Sequence, residues 1–81
     1  MALIRRFEER TLEVGRRHQP TDATWTIVRD AAGETLLQID TYGSDQRKLQ
    51  GKSSQTIQLD RAGAEALGGL LRQAFPGVLS I

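Results

Sequence analysis

Two alternating runs, facing one another across a short break that contains a glycine, limit the fold of this chain more than any other feature. Thr24-Trp25-Thr26-Ile27-Val28-Arg29 is rich in β-branched and aromatic residues, and a second run extends from Thr35 to Tyr42. Between them lies Asp30-Ala31-Ala32-Gly33-Glu34, where Gly33 can supply the positive φ that a tight hairpin requires. Setting Arg29 opposite Thr35 brings Ile27 beside Leu37 and Trp25 beside Ile39, all on one face. A slip of one residue would turn that whole set to the other side, so the pattern specifies the register.

The rest of the chain extends this hairpin. Gln55 to Leu59 reads as a further strand, with Ile57 and Leu59 on the apolar face and Thr56 and Gln58 on the other. A helix over Asp60–Phe75 follows at once. Asp60 is a good N-cap, and Ala62, Ala66, Leu67, Leu70, Leu71, Ala74 and Phe75 make an apolar stripe at helical spacing. Pro76-Gly77 ends it. Gly63, Gly68 and Gly69 each cost the helix roughly 1 kcal/mol against alanine, which points either to close backbone approach or to a kink. The first segment reads two ways. Leu3, Ile4, Phe7, Thr11 and Val14 have helical spacing, whereas Thr11-Leu12-Glu13-Val14 alternates; a strand over Thr11–Arg17 is favoured, after a short helical or extended arm. His18 to Asp22 is a turn around Pro20. The expected class is α+β: a four-stranded curved antiparallel sheet (a β-meander) followed by a C-terminal helix. The layout is one domain, with an arm at 1–10, strands over 11–59, the helix at 60–75 and a tail at 76–81. That tail, Val78-Leu79-Ser80-Ile81, is apolar enough to expect it to pack on something.

A chain of 81 residues buries only about 60% of its unfolded surface, and association with a second copy is a common remedy. No stretch approaches a membrane span, and no apolar h-region of a signal peptide follows Arg5 and Arg6. The absence of cysteine removes disulfides, thiolate metal sites and thiol nucleophiles, and fits a cytoplasmic setting. Catalytic chemistry is not assembled. His18 is the only histidine, Asp40, Asp45 and Asp60 lack ligand-like spacing, and Tyr42-Gly43-Ser44-Asp45 lacks the glycines of a phosphate loop. The expectation is therefore a non-enzyme with no cofactor and no metal.

Binding of nucleic acid has more support. Eleven Lys and Arg against ten Asp and Glu are too balanced to demand a polyanion. Yet Arg5, Arg6, Arg10, Arg16 and Arg17 crowd the start, and Arg47, Lys48 and Lys52 share one loop. Such clusters are most often solvated surface. The polar sheet face would carry Thr26, Gln38, Tyr42, Thr56 and Gln58, and binders of single strands combine a stacking aromatic with a basic groove.

From Trp25 to Phe75 the chain resembles the single-stranded DNA-binding domain of the transcriptional coactivator family called positive cofactor four. The resemblance rests on Val28-Arg29-Asp30, Gly33, Leu36-Leu37-Gln38-Ile39, Tyr42, Gly51-Lys52, Ile57-Gln58-Leu59 and a helix with Leu67 and Leu71. Leu12-Glu13-Val14-Gly15 would supply the family's first strand. The resemblance implies four curved antiparallel strands, a dimer formed through the helices, and a channel for unpaired DNA. This chain departs from the family at Ala31, Ala32 and Glu34 in the first loop, at Asp40 and Gly43, and at Ser53, Ser54 and Gln55, where the family carries aromatic or basic side chains. The reading that follows is a homodimer that binds single-stranded DNA or RNA, related to transcription or another DNA transaction. Tyr42 would stack a base, Arg29, Arg47, Lys48 and Lys52 would meet phosphates, and Leu67, Gly68, Leu71 and Phe75 would form the dimer seam. The rival is a dimeric protein-interaction or accessory module on the same fold.

Overall fold

Local pairing rules account for most of the architecture. In the computed structural model, which describes residues 1–12, 14–43 and 53–79, the strands are β1 (Ala2–Ile4), β2 (Ala23–Arg29), β3 (Thr35–Thr41) and β4 (Gln55–Leu59). One helix, α1 (Arg61–Ala74), follows β4. The chain is α+β, with the strands in the order β1-β4-β3-β2.

The central hairpin has the expected register: Arg29 pairs with Thr35, Ile27 with Leu37 and Trp25 with Ile39. Asp30 organises the turn, since its Oδ1 accepts from the amides of Ala32 and Glu34, both at 2.9 Å. Gly33 takes φ of 84°, a left-handed value that a side chain would strain. β4 joins β3 antiparallel, Ile57 opposite Ile39 and Leu59 opposite Leu37. One face therefore carries Trp25, Ile27, Leu37, Ile39, Ile57 and Leu59, and the other carries Thr24, Thr26, Gln38, Asp40, Thr56 and Gln58.

The fourth strand corrects the sequence reading. It is Ala2–Ile4, not Thr11–Arg17, and it runs parallel to β4, pairing Ala2 with Ile57 and Ile4 with Leu59. The sheet is mixed rather than an antiparallel meander. Physically, Leu12 and Val14 offer only two apolar positions before Arg16-Arg17, too little burial to hold a strand, and both are exposed. Ala2 and Ile4 instead join the apolar face of β4. Glu13 and the loop at 44–52 lie outside the described residues.

The helix begins as its sequence requires. Asp60 Oδ1 accepts from the Gly63 amide at 2.8 Å, and the Phe75 amide donates to Leu71 O at 2.8 Å at the other end. The three glycines separate into three cases. A Cβ at Gly63 would drive into the Ile4 carbonyl, so this glycine is what lets the first turn sit on β1. Gly68 lies under Leu79, with Leu79 Cδ1 3.8 Å from its Cβ position, so the tail folds back along the helix. Gly69 faces open space.

A second correction concerns the core. The sequence pattern gathers Trp25 and Ile27 with Leu37 and Ile39 on one apolar face, the pattern of a buried face, yet they are 68% and 63% exposed. Among the described residues only Leu36 and Leu59 are buried hydrophobics, and by strand alternation they lie on opposite faces. The helix meets the sheet mainly at β4, far from β2 at the other edge. Among the described residues no helix is long and apolar enough to cross a membrane.

Gly63 and Gly69 give opposite predictions. Gly63→Ala should destabilise the chain by more than about 1 kcal/mol, since backbone must move to admit the methyl. Gly69→Ala should stabilise it by about 0.5–1 kcal/mol through helix propensity. Urea unfolding of the two variants against the parent chain reads both signs.

Candidate nucleic-acid interface

The polar face of β3 and β4 is built by alternation and register. Gln38 stands opposite Gln58, and Asp40 opposite Thr56. These four side chains form one hydrogen-bonded chain across the strands. Gln58 Nε2 donates to Gln38 Oε1 at 3.0 Å, Gln38 Nε2 donates to Asp40 Oδ2 at 3.1 Å, and Thr56 Oγ1 donates to Asp40 Oδ1 at 2.5 Å. The Thr56 hydroxyl and, after it, the Gln38 amide hold the Asp40 carboxyl below its ordinary pKa; partial burial opposes them weakly. Met1, Ala2 and Leu3 line an open groove with Gln38, Thr56 and Gln58, so β1 forms one bank of this surface.

Tyr42 stands on the same face, just past the end of β3. Its Oη lies 2.7 Å from Thr24 Oγ1, and its backbone oxygen accepts from Thr21 Oγ1 at 2.7 Å. The residue is thus held at its hydroxyl and at its backbone, and it is half-buried. Ser54 closes the neighbouring strand end, its amide donating to Thr41 O at 2.7 Å and its Oγ accepting from Gly43 N at 3.2 Å.

The structure does not bring the remaining sequence candidates together here. Arg29 is exposed at the hairpin end of β2, whereas Tyr42 follows the opposite end of β3. Seven residues of strand separate those ends, about 23 Å at 3.3 Å per residue. By alternation Arg29 also points to the apolar side. Arg47, Lys48 and Lys52 lie outside the described residues. On the helix, Leu67, Gly68 and Leu71 are half-buried and Phe75 is 62% exposed.

Two participants escaped the sequence reading. Thr24 holds Tyr42, and Asp40 joins Gln38 to Thr56. Their signal is present in the pattern, because positions 24, 38, 40, 56 and 58 are all polar and share a face once the register is applied. Compared with protein-family models, curated proteins and solved structures, the chain matches none.

The Asp40 network has a pH signature. A carboxylate whose folded pKa is lowered adds stability that is present above its unfolded pKa and is lost as pH falls through the folded value. Thr56→Val should raise the Asp40 pKa back toward the ordinary aspartate value, lower stability above that value and shrink the part of it that is lost in acid. Carboxyl NMR titration of Asp40 in both proteins measures the shift, and an unchanged titration would remove Thr56 as its main cause.

Proposed function

We propose that this chain is a homodimeric binder of single-stranded nucleic acid, with bases on the polar face of β3 and β4 and phosphates along the loop that carries Arg47, Lys48 and Lys52. The observation that carries this reading is the row Gln58–Gln38–Asp40–Thr56 beside the tethered ring of Tyr42. Amide, carboxylate and hydroxyl groups match the donors and acceptors of base edges, and an aromatic ring offers a stacking platform for any base. Asp40 repels phosphate at the centre of the face, so the sugar–phosphate chain belongs at its rim. There the basic loop, which leaves β3 just after Tyr42, supplies cations. Arg29 lies outside this surface, at the far end of the hairpin.

The same Asp40 favours the second reading, a dimeric accessory module that binds protein. A carboxylate stands where the resembling family has a basic residue, and it weakens attraction for a polyanion. The two readings differ in their response to salt, because a phosphate-driven complex weakens linearly in log–log against salt concentration.

Titration of a fluorescent single-stranded oligonucleotide at low and moderate salt tests the proposal. Binding should fall with salt by a log–log slope of about −0.7 for each phosphate neutralised. Tyr42→Ala should cost about 1–3 kcal/mol, the range for loss of a stacked base. Charge reversal at Lys48 and Lys52 should weaken binding and flatten the slope, and Asp40→Asn should tighten it. No binding at low salt, with the chain still folded, would move the reading to the accessory module.

A further inference from the structure

We infer that the apolar sheet face around Trp25 and Ile27 is the seat of a second copy of this chain, whose helix stripe lies across it while the first helix reciprocates. The inference shares the dimer with the functional reading above but not its ligand.

The first argument is a mismatch inside one chain. A sheet face of Trp25, Ile27, Leu37, Ile39, Ile57 and Leu59 has no ionisable group except Arg29 at its margin. Such a face needs an apolar layer over it. The helix of the same chain presents Leu70 and Phe75 to solvent, together with Val78 and Leu79 of the tail. An exposed apolar sheet edge, Trp25 and Ile27, and an exposed apolar end of the helix and tail therefore occur on one molecule. Two copies related by a two-fold axis bring these two surfaces together in both chains. A different protein would need to bring both complements.

The second argument is size. The chain exposes 7441 Å², whereas a compact monomer of 9.0 kDa exposes about 4,900 Å². Its radius of gyration is 14.6 Å against about 12 Å for a compact chain of this length. Part of the surplus belongs to residues 5–22, whose described members are all exposed. About 1,000 Å² buried on each chain already makes an interface of obligate-dimer size.

The third argument is that its own helix is committed elsewhere. Asp60 alone separates β4 from α1, and Gly63 fixes the first turn against the Ile4 carbonyl of β1. β1 and β2 are the opposite edges of the sheet. A helix started over β1 with no linker does not swing to Trp25 without giving up that contact.

Trp25 is the chain's one tryptophan, so its fluorescence reports this face alone. In the intact chain, emission should be blue-shifted and protected from iodide at high concentration. On dilution it should shift red with the same midpoint at which sedimentation shows two copies separating. Ile27→Asp, at a position exposed in the single chain, should raise the dimer dissociation constant about a hundredfold or more, because symmetry places the change at two sites. Glu65→Ala, on the polar side of the helix with its exposed Arg61 partner, should leave the constant unchanged. Solvent-exposed emission in a species of dimer mass would place the seam elsewhere and overturn the inference. Blue-shifted emission in a species of monomer mass would overturn it as well, in favour of cover by the chain's own segments. A chain that stays monomeric with exposed Trp25 at every concentration would reserve the face for a different protein and would also overturn it. Failure to bind oligonucleotide while Trp25 is buried in a two-copy species would remove the nucleic-acid reading and leave the seam standing.

Discussion

The architecture turns on a single constraint: an apolar sheet face must be covered, and this helix is tied to the wrong edge to cover it. Gly63 lets the first turn of α1 rest on the Ile4 carbonyl, and Asp60 caps that turn. The consequence reaches across the sheet. β1 and the start of the helix form one consolidated end, while Trp25 and Ile27 stand on the opposite edge with their apolar surface toward solvent. The polar face shows the reverse. Gln38, Asp40, Thr56 and Gln58 are half-buried and bonded to one another, more sheltered than Trp25 and Ile27 of β2. In the two proposals, the side with exposed tryptophan serves association and the side with bonded polar groups serves recognition.

That division separates the two proposals physically. Burial of Trp25 and Ile27 by a second copy concerns non-directional apolar surface, whose worth scales with area removed from water. Recognition on the polar face concerns directed hydrogen bonds and charge, and there Asp40 sets the terms. Its carboxylate is stabilised by Thr56 and Gln38, which favours the charged form and, in the proposed complex, would keep phosphates away from the middle of the sheet. A nucleic acid bound there, as proposed, would approach with its bases inward.

Much of this fold was legible in the residues because its central part is local. The β2–β3 register follows from period-two alternation about a loop with Gly33, and the helix bounds follow from Asp60 and Pro76-Gly77. The first strand was not legible. Ala2–Ile4 is too short to show any period, and its parallel pairing with β4 joins residues more than fifty positions apart. Leu12 and Val14 carried a competing strand signal that no partner strand rewards. Alternation also tells which residues share a face, not what lies over that face; hence the pairing of Trp25 with Ile39 was legible and its exposure was not. For the candidate site, the polar row was readable, while the Asp40–Thr56 bond needed the cross-strand register to emerge.

The claim at the centre of this account is that one chain leaves its apolar layer unfinished and a second copy completes it. Thermal unfolding followed across about a hundredfold range of protein concentration tests that claim most directly, because a fold that depends on association has a concentration-dependent midpoint. The account predicts a midpoint that rises steadily with concentration. A midpoint that stays constant over the whole range, in a species that sediments as a single chain, would contradict it.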